Sequence, residues 1–212
     1  MTLKDYGVPL TRRGAGECLG VILAGGRGRR LGADKPFVRL GGETLLDRTI
    51  ARLSRRFSDV IVAADLPDRF RHLSVRCVAD RLSGLGPIGA IHTALQIASG
   101  RGIFAVACDM PFLEPEVIGR MVDLSEGYDL VIPSVSGRLH PLHAFYGPGC
   151  LPPLAAQIES GGLALHLLAR SVKTRFITDE AFQGGAALLR SLFNINTPED
   201  LKTAGRMLEE QA

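Results

Sequence analysis

The sequence predicts an α/β fold: a Rossmann-like three-layer sandwich with a mostly parallel sheet that includes an antiparallel strand. Two observations predict it. Short apolar runs rich in β-branched residues alternate with stretches of helical periodicity, the order expected of strands joined by right-handed crossovers. Several of those runs also end at a glycine or an aspartate, and such sheets bind ligands beyond the carboxyl ends of their strands.

The elements follow in order. Residues 18–24 form an uninterrupted apolar run closed by Gly25-Gly26, as expected of a strand buried on both faces. Thr44 opens a helix, because Asp47 stands three residues on as in a capping box and Leu46, Ile50, Leu53 and Phe57 recur on one face. Residues 59–64, 75–79 and 102–108 read as the next strands, with a short helix between the first two. From Pro87 to Ser99 the chain is helical, with Pro87 suited to a first turn and Ile91, Leu95 and Ala98 on one side. Residues 128–135 and 139–146 read as an antiparallel pair joined by Ser136-Gly137-Arg138. Helical stretches at 151–160 and 163–171 precede a short strand at 192–195. The last helix is capped by Thr197, with Pro198 at its first position and Asp200 completing the box.

At 212 residues and 46% hydrophobic side chains, the chain is long enough to bury one sizeable core. No low-complexity or like-charge segment divides it, so residues 17–212 are expected as one domain behind a polar, flexible leader at 1–16. The net charge of +3 is small and the positive charge is mostly arginine spread along the chain, so nucleic acid is not an expected partner; no stretch approaches the length of a membrane span, so neither is a membrane. One local excess, Arg27, Arg29 and Arg30, suits a polyphosphate or a solvated surface cluster. Cys18, Cys77, Cys108 and Cys150 show no C-x-x-C spacing, so no zinc site or redox pair is expected; the three in apolar strand-like runs read as reduced core thiols of a cytoplasmic protein or, alternatively, as a reactive or ligating Cys. After Arg12-Arg13, Glu17 and the glycines and arginines that follow leave no uninterrupted apolar core of the kind an export signal requires.

The loop from Leu23 to Lys35 carries the first chemical signal. It matches neither standard phosphate fingerprint: Leu31 stands where a dinucleotide motif needs a small residue, and Lys35 does not directly follow a glycine. The physics of a phosphate cradle is nevertheless present. Gly25 and Gly26 let backbone N–H groups approach an anion, and Arg30 and Lys35 add charge-assisted hydrogen bonds. Asp109, between an apolar run and Pro111, suits either a capping or turn carboxylate or a ligand of Mg²⁺, which takes few carboxylates and fills its octahedron with water and phosphate. Asp80 and the glycines after it read as a ligand contact or as loop closure. No nucleophile elbow, H-E-x-x-H or paired His/Cys arrangement occurs, so covalent and hydrolytic chemistry are unsupported. His140 and His143 suit a cleft or a packing role.

Taken together, Leu23-Ala24-Gly25-Gly26, Arg30-Leu31-Gly32, Asp34-Lys35, Gly86-Pro87-Ile88-Gly89, Cys108-Asp109-Met110-Pro111 and Asn194-Ile195-Asn196-Thr197-Pro198-Glu199 resemble the molybdenum cofactor guanylyltransferases. The resemblance implies a fold of the nucleotide-diphospho-sugar transferase type and transfer of GMP from Mg-GTP to molybdopterin or Mo-molybdopterin. It implies GTP contacts at Leu23, Ala24, Gly25, Gly26, Lys35, Asp80 and Asp109, catalytic roles for Arg30, Lys35 and Asp109, and metal at Asp109. Asn194, Asn196 and His140 would approach the metal or the pterin phosphate, and cofactor-insertion and chaperone proteins would be partners. One strand-end Asn of the family aligns with Ala63, while Asp65 stands two residues later. Related cytidylyl and sugar-phosphate transferases, and a non-catalytic GTP-binding adaptor, remain as alternatives.

Overall fold

The computed structural model describes residues 18–25, 31–82, 84–178, 181–182 and 185–210. The expected leader and four loop residues named above, Gly26, Arg27, Arg29 and Arg30, lie outside them.

The first strand, β1 (Cys18–Leu23), is buried along its whole length, which explains its unbroken apolar sequence. A small hairpin of β2 (Arg39–Leu40) and β3 (Glu43–Thr44) leads into α1 (Leu45–Ser54), whose first turn is capped by the Thr44 side chain. Then come β4 (Val60–Ala64), β5 (Arg76–Ala79), α2 (Pro87–Ala98) and β6 (Gly102–Ala107). The second half holds α3 (Pro115–Asp123), β7 (Leu130–Val135), β8 (Arg138–Leu139), β9 (His143–Tyr146) and α4 (Leu151–Glu159). It closes with β10 (Thr174–Ile177), α5 (Ala186–Ser191) and α6 (Pro198–Glu209).

The main sheet has the order β10-β7-β9-β6-β1-β4-β5, with β8 paired to β7. Along that order neighbours are parallel except around β9, which runs antiparallel to both β6 and β7; the short β8 is also antiparallel to β7. The expected mixed sheet is therefore present, with β9 as its reversed strand. Side chains alternate between two cores. Cys18 and Ile22 of β1 join Leu46 and Leu53 of α1 and Ile118 and Met121 of α3 on one face. Leu19, Val21 and Leu23 join Ile91 and Leu95 of α2 and Leu154 of α4 on the other. This makes three layers. A third, smaller cluster seats α6 against the β2–β3 hairpin, with Phe112 and Ile195 between them.

Three expectations are corrected. Residues 192–195 form no strand: Leu192 and Phe193 still turn off α5, and only the Ile195 N–H reaches across, to the carbonyl of Asp109 at 2.9 Å. Their apolarity serves burial of a connector, Ile195 being wholly enclosed. The run at 139–146 is two short strands, because Pro141 has no N–H to give a ladder. The stretch at 163–171 is a 3₁₀ helix at Leu165–Arg170 instead of an α-helix. The helix α3, the small α5, the β2–β3 hairpin and edge strand β10 were not anticipated.

Within β9, His143 is fully enclosed, its Nε2 2.7 Å from the Ser191 hydroxyl. Burial pushes its pKa down from an ordinary 6.5 to about 4. The unfolded chain therefore takes up a proton near pH 6.5 that the folded one refuses until about pH 4. Stability is complete above the unfolded value and falls through that window, by about 3 kcal/mol for this group. In urea titrations, His143→Gln is expected to flatten the decline between pH 6.5 and 4. A decline as steep as in the unaltered protein would contradict it.

Candidate functional site

The central strands β6, β1, β4 and β5 are parallel, so their carboxyl ends line one edge. The chain runs from β1 outward to β4 and β5, then crosses to the other side of β1 as β6. Beside β1 the winding reverses, which opens a crevice.

One half of the crevice, of about 260 Å³, lies over β6. It is lined by Gly25, Lys35, Pro87, Asp109, Asn194 and Asn196 among others. Lys35 begins a 3₁₀ turn, Lys35–Phe37, which is fastened to the turn after β4. Asp34 pairs with Arg69, whose guanidinium lies 5.2 Å from the Phe37 ring centroid, and Phe37 stacks on Phe70 at 5.5 Å. From that base the Lys35 ammonium donates to Asp109 Oδ2 at 2.6 Å and to Asn196 Oδ1 at 2.7 Å. Asn196 is held in turn by the α6 cap: its N–H and that of Thr197 both donate to Asp200 Oδ2 at 2.9 Å. Those N–H groups, Asn196 first, hold the Asp200 carboxyl below its usual range.

Asp109 is 7% exposed, and its Oδ1 has no hydrogen-bond partner among the described residues. The same holds for the buried Oδ1 of Asn194. A buried carboxylate oxygen left bare is costly unless something occupies it. A cation fits that demand. The described residues contain no group of three or more His, Cys, Asp or Glu side chains that could hold a metal, so the remaining ligands would be phosphate and water. Next to Asp109, burial pushes the Cys108 thiol up to about 12, which leaves it without nucleophilic thiolate at neutral pH.

The other half, of about 210 Å³, lies over β4 and β5 and shares Leu23, Gly25 and Pro87 with the first. Small residues, Ala63, Ala64, Ala90, Gly84 and Gly86, give it a low floor, and Asp65 and Asp80 supply its carboxylates. The Oδ1 of Asp80 accepts from the Leu82 N–H at 2.9 Å and the Thr93 hydroxyl at 3.2 Å. Asp80 thus closes its own loop while facing the crevice. A Cβ on Gly89 would stand 2.9 Å from the Leu82 carbonyl and 3.0 Å from Asp80 Oδ2. Gly89→Ala is expected to cost about 1–3 kcal/mol in denaturant unfolding; an unchanged midpoint would show that the Asp80 loop yields freely. The N-terminus of α2, with Gly86 as its cap and no side-chain cap bond, turns its positive end toward the space between the halves.

The crevice thus gathers Leu23, Gly25, Lys35, Asp80, Asp109, Asn194 and Asn196. Ala24 is buried behind Gly25, with its N–H bonded to Ala63. His140 lies two residues before Leu142, the lining residue on that side. Its N–H is bonded to Pro133 at 3.0 Å, and burial lowers its pKa. His143 is enclosed away from the crevice. Gly26 and Arg30 fall outside the described residues. Sequence reasoning did not single out Thr93, although a hydroxyl amid Ile91, Ala94 and Leu95 on the apolar side of α2 was a readable signal.

Comparison with known proteins matches residues 20–175 to a family model described as MobA-like NTP transferase domain. A protein of Pelotomaculum thermopropionicum named "Probable molybdenum cofactor guanylyltransferase" is 35% identical over 91% of this chain and 94% of its own length. One of the same name from Thermococcus kodakarensis is 36% identical, over 87% of this chain and 92% of its own. The crystal structure of molybdopterin-guanine dinucleotide biosynthesis protein A from Archaeoglobus fulgidus superposes with a TM-score of 0.80. It is 27% identical and covers 91% of this chain and 99% of that one.

Proposed function

The chain belongs to the molybdenum cofactor guanylyltransferase family of MobA-like NTP transferases, and from that premise we propose that it transfers GMP from GTP to the phosphate of molybdopterin. The products are molybdopterin guanine dinucleotide and pyrophosphate. The observation that carries this reading is the Lys35–Asp109–Asn196 constellation, with its bare carboxylate oxygen, opening onto a slot of small residues. Charge for a triphosphate lies on one side of Gly25, and room for a nucleoside on the other.

In the reaction an oxygen of the pterin phosphate attacks the α-phosphorus of GTP. The bond from that phosphorus to the bridging oxygen breaks, and pyrophosphate leaves with the electron pair. A phosphate monoester is largely dianionic near neutral pH, with a second pKa of about 6, so no side chain need act as a base. The neutral, enclosed His143 agrees with that.

Positioning and charge neutralisation then carry the rate. Lys35, held on two sides by Asp109 and Asn196, meets charge developing on the leaving group. Gly25 leaves the strand end open for backbone approach. The roles expected of Arg30 and Gly26 fall on residues outside those described. Asp109 would hold Mg²⁺, with the Asn194 amide oxygen beside it in the crevice. Once bound, the ion lowers the charge repulsion between the phosphates and the attacking oxygen.

The test is pyrophosphate release with each of the four ribonucleoside triphosphates and Mg²⁺, with and without molybdopterin. Release with GTP alone, and only when the pterin is present, is the expected outcome. Release with CTP instead, or without the pterin, would overturn the assignment.

A further inference from the structure

The nucleoside half of the crevice contains two carboxylates that differ in what they are free to do. Asp80 spends Oδ1 on its own loop, through Leu82 and Thr93. Asp65, the first residue after β4, is exposed, and its side chain makes no hydrogen bond or ion pair among the described residues. It is also close to the shared floor. A Cβ built on Gly25 would stand 3.8 Å from each of the two Asp65 carboxylate oxygens. Both oxygens therefore overhang the glycine at which the phosphate half meets the nucleoside half.

A carboxylate with two free oxygens accepts two parallel N–H donors best. Among the four common bases, only guanine offers adjacent donors on its pairing edge, the ring N1–H and the exocyclic amino group. Adenine and cytosine each present a ring acceptor there, and uracil flanks its single donor with carbonyls. Ala63, Ala64 and Ala90 leave space for a flat ring next to Asp65. We propose that Asp65 is the specificity-determining residue of this site, accepting the N1–H and amino donors of guanine. The proposal rests on the guanylyl transfer argued above and names the group that selects the base.

The experiment compares GTP, ITP and 2′-deoxy-GTP by steady-state pyrophosphate release at saturating molybdopterin. It uses the unaltered full chain, Asp65→Ala and Asp65→Asn. ITP keeps the N1–H and lacks the amino group. The unaltered enzyme is expected to prefer GTP over ITP about tenfold in kcat/KM, the scale of one charge-assisted hydrogen bond. In Asp65→Ala that ratio falls toward one, the loss lying in KM for GTP, and Asp65→Asn is intermediate. The ratio of GTP to 2′-deoxy-GTP stays where it was. A GTP:ITP ratio that survives Asp65→Ala overturns the proposal. So does collapse of the 2′-deoxy ratio instead, which assigns Asp65 to the ribose. Both results leave guanylyl transfer standing, whereas an unaltered enzyme that releases nothing from GTP removes the parent reading itself. Asp65 is a surface side chain, so both variants are expected to fold, which a thermal melt checks.

Discussion

Asp109→Asn is expected to lower kcat by about a thousandfold while the protein still folds, because it removes the charge that would hold Mg²⁺ and leaves the shape unchanged. The asparagine oxygen can still accept from Lys35, which also keeps Asn196 and is partly open to water, its side chain 20% exposed. The loss should therefore appear in turnover and in metal affinity, not in stability. Titration of the apo-protein with Mn²⁺, followed by electron paramagnetic resonance, separates the two contributions. Weakened Mn²⁺ binding together with slow turnover supports the metal role. Undiminished Mn²⁺ binding would move the metal elsewhere.

Lys35→Ala is expected to reduce kcat by about a hundredfold or more, with a different signature in stability. In the resting enzyme the ammonium is the charged partner of a carboxylate whose side chain is only 11% exposed. Its removal leaves Oδ2 as bare as Oδ1 already is. An uncompensated buried acceptor costs about 1–3 kcal/mol, so the metal-free variant should melt below the unaltered protein. Added Mg²⁺ should then recover more of that loss in Lys35→Ala than it adds to the unaltered chain, since the cation takes up the vacated side of Asp109. Melting curves in EDTA and in MgCl₂ test this. Equal Mg²⁺ effects in both proteins, or full turnover in the variant, would refute it.

What could be read from the sequence follows the range of the signals. Local signals were legible: the unbroken run of β1, the Thr44 cap of α1, the strand-end positions of Asp80 and Asp109, and the Thr197–Asp200 box of α6. Each depends on residues a few positions apart. The contact that organises the crevice is different. Lys35 and Asn196 are 161 positions apart, and no periodicity or spacing encodes their meeting; it follows from the Ile195–Asp109 backbone bond that lays the connector against β6. The same reasoning explains the error at 192–195, where apolar character marks burial against α6 and the β2–β3 hairpin, which no pattern within the segment distinguishes from a strand. Edge strand β10 was missed for a related cause. Only half-enclosed, with Phe176 turned outward at 52% exposure, it shows little of the two-faced apolar run that betrays a central strand.

The reversed strand β9 divides the two walls of the crevice by how freely each can be rebuilt. On one wall the chain arrives from parallel strands, and their hydrogen-bond register fixes where Gly25, Asp65, Asp80 and Asp109 emerge. On the far wall the chain is entering β9, so what meets the edge is the turn through Pro141 and Leu142, pinned where Leu142 accepts from the Ala107 N–H at 3.1 Å. A hairpin tip at Ser136 and Gly137 feeds that turn. The length of that tip is set outside the parallel ladders that place Gly25, Asp65, Asp80 and Asp109. One direction of chain thus ties its wall to the ladder of the sheet, and the opposite direction leaves the other wall to a turn whose length the ladder does not set.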